Sequence, residues 1–166
     1  MAGKMGGDAP FPKSAVSGPV NHATFTDFDE FDFSRLGSTT GGNAAQPAPR
    51  ESSRLGAWFA ERDVRAEMGA PINKQAHLNI ERPLEISSED LHAMLDDIIA
   101  EAGEDIISKR ISNDLYSSGD EYGGDVAAEL RRRLQEQGYD GLKVRDTEFD
   151  TTSWVAFDPS QVRMIR

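Results

Sequence analysis

The chain contains no cysteine, which excludes structural disulfides, thiolate nucleophiles and any zinc site that needs sulfur ligands. Histidine is scarce as well. His22, His77 and His92 lie far apart, with no His-x-x-x-His pair and no calcium-loop pattern, so no resident metal is expected. Cations are in deficit: 18 Lys and Arg stand against 29 Asp and Glu, a formal net charge of −11. A surface that follows phosphates needs clustered cations, so nucleic-acid binding is disfavoured. Nowhere do roughly eighteen apolar residues run together, and the N-terminus lacks the apolar stretch of a signal peptide. The reading is a soluble, non-secreted, cytoplasmic protein with no membrane partner. Both standard phosphate cradles, Gly-x-x-x-x-Gly-Lys-Ser/Thr and Gly-x-Gly-x-x-Gly, are missing, and so is the Gly-x-Ser-x-Gly elbow of serine hydrolases.

What is present fits one domain: 166 residues, 37% of them apolar and 28% charged, with some stretches contributing little to a core. Residues 1–18 carry Pro10, Pro12 and several Gly without periodicity. They read as a flexible arm that could clasp another surface, and 19–166 as the domain. Pro19 to Thr24 reads as a strand. Phe25 to Phe33 interleaves aromatic and acidic residues, which suggests an irregular segment whose rings fold back under the sheet. Gly37 to Ser53 is a long loop suited to a lid or a binding role.

Leu55 to Ala60 reads as a short apolar strand, and Glu61 to Met68 as a short helix stopped by Gly69 and Pro71. Gln75 to Ile80 is a further strand, and Pro83 to Ile86 leads to Ser87, a good N-cap with Asp90 in the acidic first turn. Leu91, Met94, Leu95, Ile98, Ile99 and Ala102 then recur at helical spacing. Ile107, Ile111 and Leu115 suggest a second helix, broken at Ser117 to Asp120. Val126, Leu130 and Leu134 mark a third, closed by Gly138. Leu142 to Val144, Ser153 to Phe157 and Gln161 to Ile165 read as strands, with a turn at Asp158-Pro159-Ser160. The pattern is α+β.

Five of these segments, in this order, resemble motifs of the ADP-ribosyltransferase fold, in the branch found in phage and mobile-element polyvalent proteins, distantly related to poly(ADP-ribose) polymerases. Pro19-Val20-Asn21-His22-Ala23-Thr24 followed by Phe28 and Phe31 is similar to that family's Val-Tyr-His-Gly-Thr … Phe … Phe opening. Leu55 to Ala60 with Ala66 resembles its Gly-x-Tyr/Phe-Phe-Thr strand and helix, and His77 to Ile86 its Tyr-Leu-Asn-Ile-x-Asn-Pro-Leu strand. Gln137 to Leu142 resembles Gly-Tyr-Asp-Gly-Val, and Trp154 to Val162 resembles Tyr-Val-Val-Phe-Asp-Pro-Ser-Gln-Ile. The resemblance spans Pro19 to Ile165 and implies two small facing sheets, a split β-sheet core around an NAD cleft, with helices to one side.

The resemblance also implies roles. His22 would bind a ribose of NAD+ and orient its amide, and Ala23, at the family's Gly position, and Thr24 would present backbone to the nicotinamide. Trp58 would stack on the nicotinamide, flanked by Gly56, Ala57 and Phe59. Ser38 and Thr39 would lie near the adenosine half. A second family aromatic would fall at Gly69, which leaves one wall of the slot missing. Ser153 takes the place of the family's catalytic Glu, so a carboxylate would have to come from Asp150, or from Glu148 or Asp146. Against these stand structural readings: His22 as a satisfied strand histidine, Trp58 as core, and the acids as solvated loop residues. Gly138, Asp140, Gly141 and the Asp158-Pro159 turn read as structural. The implied activity is mono-ADP-ribosyl transfer from NAD+ to a protein or other acceptor. Its alternative is a catalytically inactive binding or virion-associated module. An acidic decoy of nucleic acid rests on net charge alone.

Overall fold

A computed structural model describes residues 11–30, 55–98, 100–101, 119–147 and 149–165, and of 119–125 the backbone alone. Seven strands form one sheet: β1 (Val20–Thr24), β2 (Ala57–Ala60), β3 (Ile72–Leu78), β4 (Pro83–Ser87), β5 (Gly141–Asp146), β6 (Thr151–Ala156) and β7 (Val162–Ile165), in the order β4-β5-β6-β2-β1-β3-β7. Helix α1 (Arg65–Met68) follows β2, α2 covers 88–98 and 100–101, and α3 is Gly119–Glu136. The class is therefore α+β. In place of two separate sheets, two wings belong to one ladder that narrows at β1–β2 to a single register pair, Asn21↔Ala60.

Among the described strands only β4 and β5 run parallel. Parallel neighbours need a long crossover, and α2 and α3 supply it, packing on one face of β4–β5–β6. There Leu91, Leu95, Leu130 and Leu134 meet Leu142, Val144 and Val155, all buried. The remaining pairs are antiparallel. The opposite face buries Val20, Phe59, Ala76, Leu78, Trp154 and Ala156, with no helix among the described residues upon it. It is closed by part of the expected N-terminal arm. Ser14 Oγ donates to Leu78 O (2.6 Å) and accepts from Ile80 N (3.0 Å) and Val16 N (3.1 Å), while Val16 enters the core. Residues 11–18 thus clasp the sheet; the first ten lie outside the described residues.

Several sequence signals appear as physical devices. Ser87 Oγ accepts from Asp90 N at 3.1 Å, capping α2. Gly69 (φ 67°) and Gly138 (φ 97°) end α1 and α3 in the left-handed region, where a Cβ is strained. Gly119 and Asp120, expected in the break between the second and third helices, are the first two residues of α3; the second helix lies outside the described residues. Phe25, expected under the sheet, is 40% exposed. Phe31, Phe33, the 37–53 loop, Ile99, Ala102 and the Ile107/Ile111/Leu115 helix lie outside the described residues. Among the described residues no helix is long and apolar enough to cross a membrane.

Candidate functional site

The central three strands, β6, β2 and β1, carry most of the residues singled out by the sequence. Gly56 admits β2 to the sheet: a Cβ there would stand 2.1 Å from Ala156 O, so only glycine allows the approach. Arg131 on α3 donates to Leu55 O at 2.8 Å and fixes the start of that strand. Beyond it Ala57, Trp58, Phe59 and Ala60 pair with Ala156, Val155, Trp154 and Ser153. Alternation along β2 sends Trp58 and Ala60 to the helical face and Ala57 and Phe59 to the other. Accordingly Trp58, half-buried, packs against the α2–α3 core, while Ala57 and Phe59 join the core beneath residues 14–16.

His22 occupies the point where β1 leaves β2. Its ring stands on the Phe59 side, 5.5 Å from that ring centroid and 6.0 Å from Phe28. Nδ1 lies 2.8 Å from Trp58 O. A carbonyl can only accept, so Nδ1 carries the proton and Nε2 is the acceptor nitrogen of the neutral ring. Burial pushes the imidazole below its usual range, partly offset by that hydrogen bond. On the opposite face Asn21 donates from Nδ2 to Ala60 O (3.3 Å) and accepts from Asn73 (2.9 Å) and Gln75 (3.1 Å). Consecutive side chains thus hold two β2 carbonyls where the backbone ladder has opened.

The expected residues divide between the two faces. Ala23 is buried with Ala60, Val64 and Ala70 on the helical side, and Ser153, 4% exposed, sits between Ala60 and Val144. Trp58 shares that side. The His22 imidazole does not; its Nδ1 meets Trp58 at the carbonyl. Thr24 Oγ1 is engaged locally, donating to Thr26 O (3.1 Å) and accepting from Thr26 N (3.2 Å). Asp150 stands exposed in the β5–β6 turn at φ 49°, with the Arg62 guanidinium among its electrostatic neighbours. Asp146 accepts from Phe149 N at 3.2 Å, a turn-forming contact. Ser38, Thr39 and Glu148 lie outside the described residues. Gly69, where the resemblance would put a second aromatic, is the left-handed cap of α1, a conformation in which a side chain is strained.

Sequence reasoning passed over Lys74, Asp27 and Glu61. Lys74 is the register partner of His22 on β3, and its Nζ reaches Asp27 Oδ1 at 2.8 Å. Glu61 accepts from Trp154 Nε1 at 2.9 Å on the His22 side of the sheet. For Lys74 and Glu61 the signal was strand alternation, which required the β1–β3 and β2–β6 registers, and Asp27, on no strand, offered none. Two motifs resolve into fasteners. Asp140 accepts from Glu81 N (2.9 Å) and Arg82 N (2.7 Å), and Gln161 joins three loops through four hydrogen bonds. Among the described residues no group of three or more His, Asp or Glu could hold a metal ion. No family model matches the chain, and neither does any curated protein or solved structure.

Proposed function

We propose that the chain binds NAD+ at the opening between β1 and β2 and acts as a mono-ADP-ribosyltransferase toward a protein or other acceptor. The observation that carries this reading is the opened ladder. Past Asn21↔Ala60 the two strands share no further register pair, and a neutral imidazole held by Trp58 O stands in the gap. Its Nε2 suits a ribose hydroxyl, which donates to it. The half-buried Trp58 ring supplies a flat surface beside the same gap on the helical face.

In the proposed reaction the bond between ribose C1 and the nicotinamide nitrogen breaks. The bonding pair leaves with nicotinamide, now neutral, and the sugar passes through an oxocarbenium-like state. A lone pair of the acceptor forms the new bond to C1, and the acceptor proton goes to solvent or a nearby base. His22 orients the ribose; Ser153 is buried on the other face of the sheet and does not share its side, and Asp150 is the carboxylate nearest in sequence to Ser153. A second reading, NAD+ binding without turnover, is favoured by one observation: Ser153 is buried where the resemblance calls for a glutamate, and Asp150 faces solvent near Arg62.

The test is transfer of label from adenine-labelled NAD+ to a bacterial lysate by wild type, His22→Ala, Asp150→Ala and Ser153→Ala. The transferase reading expects labelled product that is lost in His22→Ala. Absence of both transfer and nicotinamide release, with NAD+ still bound, selects the second reading. No binding at all overturns both.

A further inference from the structure

The chain that leaves β1 is folded back over the residue that β1 presents. Thr24 Oγ1 makes both of its hydrogen bonds to Thr26, a local turn that ends the strand and redirects the backbone. Four residues on, the Phe28 ring meets the His22 imidazole edge-on, with 6.0 Å between centroids and 70° between planes. Lys74 binds this return from the far side. Its Nζ stands 5.9 Å from the Phe28 centroid and 2.8 Å from Asp27 Oδ1. The two ends of that ion pair differ: the lysine side chain is 16% exposed and the aspartate 74%.

The geometry points to residues 25–28 as a gate over the His22 imidazole, latched by the Lys74–Asp27 ion pair. The lysine is fixed, because it belongs to the sheet and pairs in register with His22. The aspartate is the moving part, because it sits on an irregular segment and faces water. Lys74 holds the Asp27 carboxyl below its ordinary range, which keeps the latch charged through neutral pH. An ion pair with one exposed partner is weak and screened by salt, which suits a catch that must release. As a gate on an NAD+ cleft this rests on the reading above; as a cover on an imidazole it does not.

The experiment therefore reads the imidazole itself. Diethyl pyrocarbonate ethoxycarbonylates neutral histidines, and peptide mass spectrometry of the full chain at pH 7 gives a rate for each site, with His77 and His92 as internal references. Asp27→Asn and Lys74→Met should each raise the His22 rate by about two- to fivefold, the range that an exposed pair supports. The double variant should add nothing more. The two substitutions act oppositely on the basicity of the ring, so a rise in both reports access rather than electrostatics. Salt near 0.5 M should lift wild type and leave Asp27→Asn unchanged. An unchanged His22 rate in both variants, a wild type indifferent to salt, or a rise matched at His77 and His92 would each overturn the latch.

Discussion

Gln161 is expected to be among the most costly polar side chains in the molecule to remove. Its Oε1 accepts from Phe157 N (2.9 Å) and Asp158 N (2.8 Å), and its Nε2 donates to Asn79 O (2.9 Å) and Asp140 O (2.8 Å). The carboxamide is buried, so Gln161→Ala leaves four main-chain groups without that partner. Each ordinary hydrogen bond contributes about 1 kcal/mol net, and a stranded buried group costs about 1–3 kcal/mol. Water entering the vacated space would satisfy some of them, which brings the expected loss to about 2–4 kcal/mol. In a domain of this size that corresponds to a fall in Tm of about 5–15 °C. Urea titration followed by circular dichroism should show a lower midpoint with unchanged m. Gln161→Glu should lose at least as much, because a carboxylate oxygen would then face two carbonyls. A loss below about 0.5 kcal/mol for Gln161→Ala, the ordinary scatter of surface changes, would refute the reasoning.

Three further outcomes follow from the same geometry. Gly56→Ala places a Cβ 2.1 Å from Ala156 O, so thermal melts should show a loss of about 2–4 kcal/mol, while Gly18→Ala, with open space around it, should change little. Ser14→Ala breaks the clasp on Leu78 and Ile80 and should cost about 1–2 kcal/mol, with faster hydrogen exchange at the Ile80 amide. For His22 the folded value is depressed, so the unfolded chain binds the proton first on acidification. Its contribution is then complete above about pH 6.5 and lost as pH falls toward the folded value. Stability of wild type minus that of His22→Gln, measured from pH 8 to 5, should decline on acidification; a flat or rising difference contradicts the assignment.

Much of the fold was legible because its signals are local. The apolar spacing of Leu91, Leu95 and Ile98 and of Val126, Leu130 and Leu134 needs only a helical period, and Gly138 needs only a left-handed cap. Strands β1, β2, β5, β6 and β7 were visible within a residue or two for the same reason. The partners of the Ser14 clasp were not, since Leu78 and Ile80 lie more than sixty residues away and proline and glycine around it read as a flexible arm able to clasp a surface that the sequence does not name. The candidate site was legible in composition but not in arrangement. His22 and Trp58 sit on neighbouring strands, yet strand alternation turns their rings to opposite faces, and only the register Asn21↔Ala60 fixes this. Lys74 stayed unnoticed because its relation to His22 exists only once β1 and β3 are paired.

The central claim is that the opening between β1 and β2 holds NAD+, and calorimetric titration of NAD+ into wild type and His22→Ala tests it most directly. The account predicts saturable one-to-one binding to wild type, weakened about tenfold or more in His22→Ala by the loss of a ribose hydrogen bond and the ring that orients it. Nicotinamide released in the same cell would add turnover to binding. Absence of binding to a folded wild type, or equal binding to both proteins, would contradict it.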